Sequence, residues 1–245
     1  MSGENQVEGR NPVIEVLKSG REIEKIILSK GSNQGSIKKI IGMAKSKKVL
    51  VQYVDKSNLD SLSETGNHQG VIALVSAHEY KSIDYILKSA EEKGEAPFVI
   101  ILDEIEDPHN LGAIMRTAEC AGVHGVIIPK RRSVGLTSTV AKTSAGAIEY
   151  MPVAKVTNIS NAIEELKERG LWIYGADMDG DEDYFKKDLK GPIGIVVGNE
   201  GKGISRLVKE KCDFLVKIPM KGKVSSLNAS VATSIITYEV LRQRS

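Results

Sequence analysis

Cysteine is scarce in this chain, because only Cys120 and Cys212 occur among 245 residues. Neither belongs to a CxxC pair or to a Cys/His cluster, so the spacing offers no zinc site and we expect no metal cofactor. Two thiols give no disulfide framework, which favours a reducing compartment. We therefore expect a cytoplasmic protein.

Membrane signals are also missing. The N-terminal stretch lacks a basic region followed by an apolar one, as a secretory signal would have. No uninterrupted apolar run approaches the length of a membrane span. The sequence therefore predicts a protein without a membrane partner.

Aromatic residues and net charge are low as well. Aromatics make up 4% of the chain, which argues against aromatic stacking platforms for single-stranded nucleic acid. The net charge is +2, so charge balance alone does not indicate a nucleic-acid-binding protein. Hydrophobic residues reach 41%, enough for an aliphatic core in one large domain or two small ones.

The first part of the chain, 1–76, alternates strand-like and helix-like stretches and predicts a small α/β domain. The polar segment 77–96 is interpreted as a linker with one weak amphipathic helix around 83–87. In the first domain, the predicted strands are 24–29, 49–54 and 70–75, and the predicted helices are 36–48 and 56–62.

The remaining part, 97–245, contains apolar, β-branched runs without polar alternation. Strands of this kind are buried on both faces, so the sequence predicts a parallel sheet covered by helices. The predicted strands are FVIILD (98–103), GVIIP (125–129), WIYGAD (172–177), IGIVVG (193–198) and FLVKIP (214–219).

The glycine-rich turn of this domain comes late. The first strand is followed by EIEDPHNLG rather than GxGxxG, which disfavours a dehydrogenase-like dinucleotide site. The turn GNEGKGIS is not a P-loop, because Gly203 and Ile204 follow its lysine. A glycine turn after a buried strand still favours close approach of backbone to a ligand.

The stretch DPHNLGAIMRTAECAG predicts an amphipathic helix with Arg116 off its apolar stripe. Gly112, one turn earlier, is expected to leave room beside the guanidinium for a phosphate or ribose. In the alternative interpretation the two residues have structural roles only: Asn110 is an N-cap and Arg116 is a solvated partner of Glu119. The stripe itself comprises Leu111, Ile114, Met115 and Ala118.

Three stretches, each at a strand end, occur in the order DPHNLGAIMRTAECAGVHGVIIP, IVVGNEGKGIS and IPMKGKVSSLNASVATSI. Together they resemble the three motifs of the SpoU, or TrmH-type, RNA ribose 2′-O-methyltransferases of the SPOUT superfamily. The front segment, from VEGRNPVIEVLKSG to HQGVIALV, resembles the substrate-binding domain of the bacterial 23S ribosomal RNA guanosine-2′-O-methyltransferase subgroup.

This resemblance implies a SPOUT domain with a deep trefoil knot, which connectivity rules alone would not propose. It also implies a ribosomal-protein-L30-like α/β domain in front, a homodimer, and S-adenosylmethionine as the cofactor. The implied cofactor-binding residues are Gly198, Gly203, Ile218, Ser226 and Leu227. The implied catalytic residues are Asn110, Arg116, Glu200, Ser226 and Asn228.

Simpler roles compete with the implied ones. Glu200 is also placed to cap the helix after its turn, and Asn228 to cap the last helix. Arginine practically never deprotonates in proteins. We therefore interpret Arg116 as a clamp on the target phosphate that lowers the pKa of the ribose hydroxyl, with phosphate or water accepting the proton.

Basic residues near the motifs are candidate RNA contacts, because basic loops at strand ends suit phosphates. They are equally compatible with a solvated surface. One group comprises Lys130, Arg131, Arg132 and Lys142, and a second comprises Lys217, Lys221 and Lys223. By resemblance alone, Arg10 and Asn11 are candidate contacts in the front domain.

The last helix carries an apolar face that fits either a subunit interface or a buried core helix. Its members are Val231, Ala232, Ile235, Ile236 and Val240.

The sequence thus favours an enzyme that methylates a ribose 2′-hydroxyl, with a guanosine of 23S ribosomal RNA or of the assembling large subunit as its substrate. One alternative is a transfer RNA ribose 2′-O-methyltransferase. The other is a non-catalytic RNA-binding ribosome-assembly factor on the same fold.

Overall fold

The chain divides into two compact units in the computed structural model, which describes residues 5–19, 21–32, 35–199, 201–223 and 226–245. The first unit extends to Glu79 and includes Leu136–Ser138. The second comprises Tyr80–Gly135 and Thr139–Ser245.

The first unit is a small α/β domain, as predicted. Its sheet has the order β1-β4-β2-β3, with β3 parallel to β2 and the other pairs antiparallel. The elements are β1 (Gln6–Glu8), α1 (Arg10–Ser19), β2 (Ile23–Ser29), α2 (Ser36–Ser46), β3 (Val51–Val54), α3 (Lys56–Leu62) and β4 (Val71–Val75).

Helical periodicity explains how this unit forms its core. In α2, Ile37, Ile40 and Ala44 recur on one face and are fully buried. The predicted strands and helices match the observed ones to within two residues, whereas β1 and α1 were not predicted.

The second unit contains a seven-stranded parallel sheet with the order β7-β6-β5-β10-β8-β11-β9. Its helices are α4 (Ile83–Lys93), α5 (Pro108–Cys120), α6 (Ser138–Thr143, which begins in the first unit), α7 (Ile159–Glu168), α8 (Arg206–Lys209) and α9 (Ala229–Arg244). Its strands are β5 (Phe98–Asp103), β6 (Gly125–Pro129), β7 (Val153–Val156), β8 (Trp172–Ala176), β9 (Glu182–Asp183), β10 (Ile193–Gly198) and β11 (Phe214–Lys217).

The burial of the central strands of this sheet is explained by their apolar, β-branched residues. Every residue of β5, β6 and β10 is buried, as expected for β-branched strands covered on both faces. The predicted parallel sheet is therefore confirmed, and it gains two short edge strands, β7 and β9, that were not predicted. The trefoil knot stays a prediction from the resemblance.

The segment expected as a linker, 77–96, carries α4, which packs in the core of the second unit. Ile83, Ile86 and Ala90 are buried there. Ile83 and Ile86 belong to the same hydrophobic cluster as buried residues of the sheet. Gly125 in β6 permits this packing, because a methyl group at that position would lie 2.5 Å from Cδ1 of Ile86. Most of the segment therefore belongs to the second unit.

None of the helices among the described residues has the length and hydropathy needed to cross a bilayer.

Candidate active site

A cavity of about 230 Å³ opens at the carboxyl ends of β8, β10 and β11. These strands are neighbours in a parallel sheet, so their following loops meet at one edge. The lining comes from the ends of these strands and the loops that follow them, from Lys209 of α8 and from the start of α9. Among the described residues it comprises 176–179, 197–199, 201–203, Lys209, Val216, Ile218, Met220, Ser226, Leu227, Ala229 and Ala232.

All five residues expected to bind the cofactor line this cavity. They lie far apart in the sequence and are brought together by the strand ends. They are Gly198, Gly203, Ile218, Ser226 and Leu227. Their binding role stays a prediction.

Gly198 is required by the loop itself. We expected this glycine to lie against the cofactor, but a methyl group there would lie within 3.0 Å of backbone atoms of Gly203 and Ile204. The N–H of Gly203 donates to the carbonyl of Asn199 (2.7 Å), which closes the turn. The missing side chain of Gly198 therefore lets the turn fold back on its own strand.

Asn199 holds this turn in place, a role that the motifs did not predict. Its amide nitrogen donates to the carbonyl of Glu104 (3.2 Å), and its amide oxygen accepts from the N–H of Gly201 (2.9 Å). Asparagine between glycines is a turn signal that was available in the sequence. Asp177 and Lys209 also line the cavity and lie outside the residues chosen from the motifs.

Two amides link α5 to the beginning of α9. The side-chain nitrogen of Asn228 donates to the side-chain oxygen of Asn110 (3.0 Å). The oxygen of Asn228 accepts from the N–H groups of Ser230 (2.9 Å) and Val231 (3.4 Å), so Asn228 also caps α9 as anticipated. The pair lies beside the cavity, because Asn228 directly follows a lining residue.

Asn110 is not the N-cap of α5, which corrects one alternative. Asp107 caps this helix by accepting from the N–H of His109 (2.8 Å), and Pro108 occupies the first turn. Asn110 lies inside the helix and is 7% exposed. Its amide is therefore directed to Asn228 rather than to the helix end.

Arg116 is exposed on α5 and is not among the residues that line the cavity. It follows Asn110 by six positions, about 9 Å along the helix axis. Among the described residues no ion pair joins it to Glu119, so the solvated pair of the alternative interpretation is not formed. Glu200, the remaining predicted catalytic residue, lies outside the described residues.

Gly112 has a packing role rather than the predicted one. A methyl group at Gly112 would lie 2.7 Å from Cβ of Thr143 and 2.9 Å from the backbone nitrogen of Ser144. The hydroxyl of Thr143 donates to the carbonyl of Pro108 (3.1 Å). The space beside this glycine is therefore occupied by protein, and it holds no phosphate or ribose.

The predicted RNA contacts differ in availability. Lys130, Arg131 and Lys142 are exposed. Nη1 of Arg132 donates to Oε1 of Glu104 (2.8 Å), and this hydrogen bond raises the pKa of the Arg132 guanidinium. Any phosphate at Arg132 must therefore compete with Glu104.

In the first unit, Arg10 is held by the turn before β4. Its Nε donates to the carbonyl of Gln69 (3.0 Å), and its backbone N–H donates to the Gln69 side chain (3.2 Å). Asn11 is exposed. Arg10 therefore has a structural contact whether or not it also contacts RNA.

Comparison with known proteins agrees with this arrangement of strand ends and loops. The profile of the SpoU rRNA Methylase family matches residues 97–238, and the profile described as RNA 2′-O ribose methyltransferase substrate binding matches residues 6–81. The chain belongs to the SpoU rRNA methylase family. The resemblance read from the motifs is thereby confirmed.

Individual relatives cover almost the whole chain. YacO of Bacillus subtilis (strain 168), named as a TrmH family tRNA/rRNA methyltransferase, is 55% identical over 236 residues, covering 96% of this chain and 94% of YacO. The solved SpoU methyltransferase AviRb from Streptomyces viridochromogenes, in complex with the cofactor AdoMet, has a TM-score of 0.62 at 25% identity, covering 98% of this chain and 89% of AviRb. The A. aeolicus TrmH/SpoU tRNA modifying enzyme has a TM-score of 0.56 at 31% identity, covering 64% of this chain and 82% of that chain.

Proposed function

We propose that this protein is an S-adenosylmethionine-dependent RNA methyltransferase that modifies a ribose 2′-hydroxyl, with a guanosine of 23S ribosomal RNA as its target. The observation that carries the proposal is the convergence of Gly198, Ile218 and Leu227 on one cavity beside the Asn110–Asn228 pair. Family membership and the AdoMet complex of AviRb support the cofactor.

The cavity fits this cofactor in its chemistry. Val197, Ile218 and Leu227 provide apolar walls for a planar base, and the glycine turn brings backbone groups close to the ligand. When bound, the cofactor supplies an electrophilic methyl group on a sulfonium. The protein then has to align the ribose oxygen with that methyl and manage one proton.

Three residues are assigned to these tasks. The Asn110–Asn228 pair fixes the beginning of α9 next to the cavity and provides amide groups to position the ribose. The Arg116 guanidinium is exposed and solvated, so it is available to grip the phosphate next to the target. Its charge stabilises the developing alkoxide, while phosphate or water takes the proton.

The position of Arg116 outside the cavity lining of its own chain favours a site completed by a second copy. On α9, Val231, Tyr238 and Leu241 are exposed and lie on one face by their spacing, whereas Ile236 and Val240 are fully buried within the protomer. We infer a homodimer that covers this exposed face. Sedimentation at twice the 26.6 kDa chain mass is the expected result, and a monomer alone would contradict it.

The identity of the RNA is the finer part of the proposal. Lys130, Arg131 and Lys142 are exposed side chains of the second unit, which makes them available to phosphates. The front unit is assigned to recognition of RNA, and its match to a substrate-binding profile supports that role. A cytoplasmic location belongs to the same proposal.

Transfer RNA is the second candidate, because YacO is named for both RNA classes and the A. aeolicus protein for transfer RNA. Mapping 2′-O-methyl groups in cells with and without the gene separates the two. Loss of one guanosine methylation in 23S ribosomal RNA is the expected result. A change confined to transfer RNA would replace the substrate assignment while leaving the activity intact.

A further inference from the structure

One carboxylate in the cavity has no place in the three motifs. Asp177 directly follows β8, its side chain is 7% exposed, and it lines the cavity together with Gly203 and Lys209. The other acid among the described lining residues, Asp179, is exposed. A carboxylate buried to this degree requires hydrogen-bonding partners.

The described residues supply two of those partners. Nζ of Lys209 donates to Oδ2 of Asp177 (2.7 Å), and the backbone N–H of Asp179 donates to Oδ1 (3.0 Å). Each carboxylate oxygen has room for two hydrogen bonds. Among the described residues, each oxygen therefore keeps one acceptor position.

The carboxylate is also held rigidly. The N–H of Asp177 donates to the carbonyl of Val216 (2.9 Å), which ties this residue to β11. A methyl group on Gly203 would lie 3.8 Å from Oδ2 of Asp177, so the carboxylate faces the glycine turn. A fixed acceptor thus stands between the end of β8 and the turn.

We propose that Asp177 accepts a hydrogen bond from a ribose hydroxyl of the adenosyl group, with Lys209 as a positioning residue. This inference rests on the proposed cofactor site. The ion pair with Lys209 offsets the negative charge, so the site suits a neutral hydroxyl donor rather than a cation.

The division of the cavity supports this choice. Val197, Ile218 and Leu227 form apolar walls of the cavity, and such walls suit the faces of an adenine ring. The ribose is the neighbouring part of the same ligand with neutral hydroxyl donors, and a charged acceptor makes the stronger hydrogen bond. Acids at strand ends in other α/β nucleotide sites bind ribose hydroxyls in this way.

The test is a cycle that combines a protein change with a ligand change, measured by titration calorimetry. The ligands are S-adenosylhomocysteine and its 2′-deoxy and 3′-deoxy analogues, so no methyl transfer is needed. Wild-type protein should lose about 10- to 100-fold in affinity when the bound hydroxyl is removed. Asp177→Ala should lose a similar factor for the parent ligand and should no longer distinguish it from the deoxy analogues.

Two variants separate binding from folding effects. Asp181→Ala changes an exposed acid of the same loop outside the cavity, and it should bind like wild type. Lys209→Met should weaken binding but still distinguish ribose from deoxyribose, because the acceptor remains. If Asp177→Ala melts early, Asp177→Leu takes its place, because leucine has a similar shape and no hydrogen-bond acceptor.

A folded Asp177→Ala protein that distinguishes the ligands as wild type does would overturn the inference. Loss of the distinction in Lys209→Met to the same extent would also overturn it, since Asp177 would then act through the loop structure. Failure of wild type to bind S-adenosylhomocysteine at all would instead refute the proposed cofactor and remove the basis of this inference.

Discussion

Gly198→Ala tests whether the shape of the glycine turn determines cofactor binding. The added methyl group would lie within 3.0 Å of the backbone of Gly203 and Ile204. Non-bonded carbon atoms normally keep about 3.5–4.0 Å between them, so this part of the turn must move. Overpacking of this kind costs about 1–3 kcal/mol of folding stability. Because the displaced turn also lines the cavity, we expect a loss of binding free energy of about the same size, which is about 5- to 150-fold in affinity.

Gly201→Ala is the matched control in the same turn. Among the described residues, a methyl group there would meet Oδ1 of Asn199 alone, at an ordinary contact distance of 3.5 Å. We expect about a twofold change or less for this variant. Both variants are compared with wild type by calorimetric titration of S-adenosylhomocysteine.

Stability is measured alongside affinity. The single tryptophan, Trp172, lies in β8 of the second unit and reports on its unfolding by fluorescence. If both variants bind with wild-type affinity, the close approach of Gly198 to Gly203 does not control the cavity. If both lose affinity equally, the specific steric argument for Gly198 is wrong.

Three further changes test other parts of the second unit. Gly112→Ala should lower the free energy of unfolding by about 1–3 kcal/mol, because its methyl group overlaps Thr143 despite the better helix propensity of alanine; an unchanged urea midpoint would contradict this packing. Arg116→Lys keeps the charge but loses the planar fork, so methyl transfer should fall by about tenfold or more with unchanged affinity for S-adenosylhomocysteine; transfer at the wild-type rate would show that bidentate positioning is unnecessary. Burial lowers the pKa of His124 below 6.5, although Glu95 opposes the shift. As pH falls below about 6.5, the unfolded chain therefore binds a proton that the native protein does not, and the free energy of unfolding should decrease. His124→Asn should remove this part of the pH dependence in urea titrations, and identical slopes for both proteins would refute the assignment.

The sheet of the second unit was predictable where hydrophobic pattern alone decides it. The runs 98–103, 125–129 and 193–198 became β5, β6 and β10 without adjustment, because each is apolar throughout and buried on both faces. The edge strand β7 escaped prediction, since VAKV is short and its Lys155 is only partly buried. Edge strands carry less of the core and therefore less of the pattern.

Side-chain roles were harder to predict than strand positions. The cavity brings together the five residues expected from the motifs, because parallel strands end at one edge. The packing contacts of Gly112 and Gly198 were nevertheless not predicted, since Gly112 accommodates Thr143 from another helix and Gly198 accommodates the returning backbone of its own turn. Such contacts depend on tertiary packing, which no local pattern encodes.

The contacts of Asp177 and Asn199 were also not predictable from local sequence. The carboxylate of Asp177, after β8, pairs with Lys209 of α8, and the amide of Asn199 donates to the carbonyl of Glu104. In the sequence these residues look like ordinary loop positions. Their importance depends on which strands are neighbours in the sheet.

The central claim is that this protein transfers a methyl group to a ribose oxygen of RNA. The most direct measurement incubates the purified protein with S-adenosylmethionine labelled in its methyl group and with unmodified 23S ribosomal RNA, followed by nuclease digestion and nucleoside analysis. The label should appear as 2′-O-methylguanosine and resist alkaline cleavage at that position. Label on a base, or no label on 23S ribosomal RNA or on transfer RNA, would contradict the account.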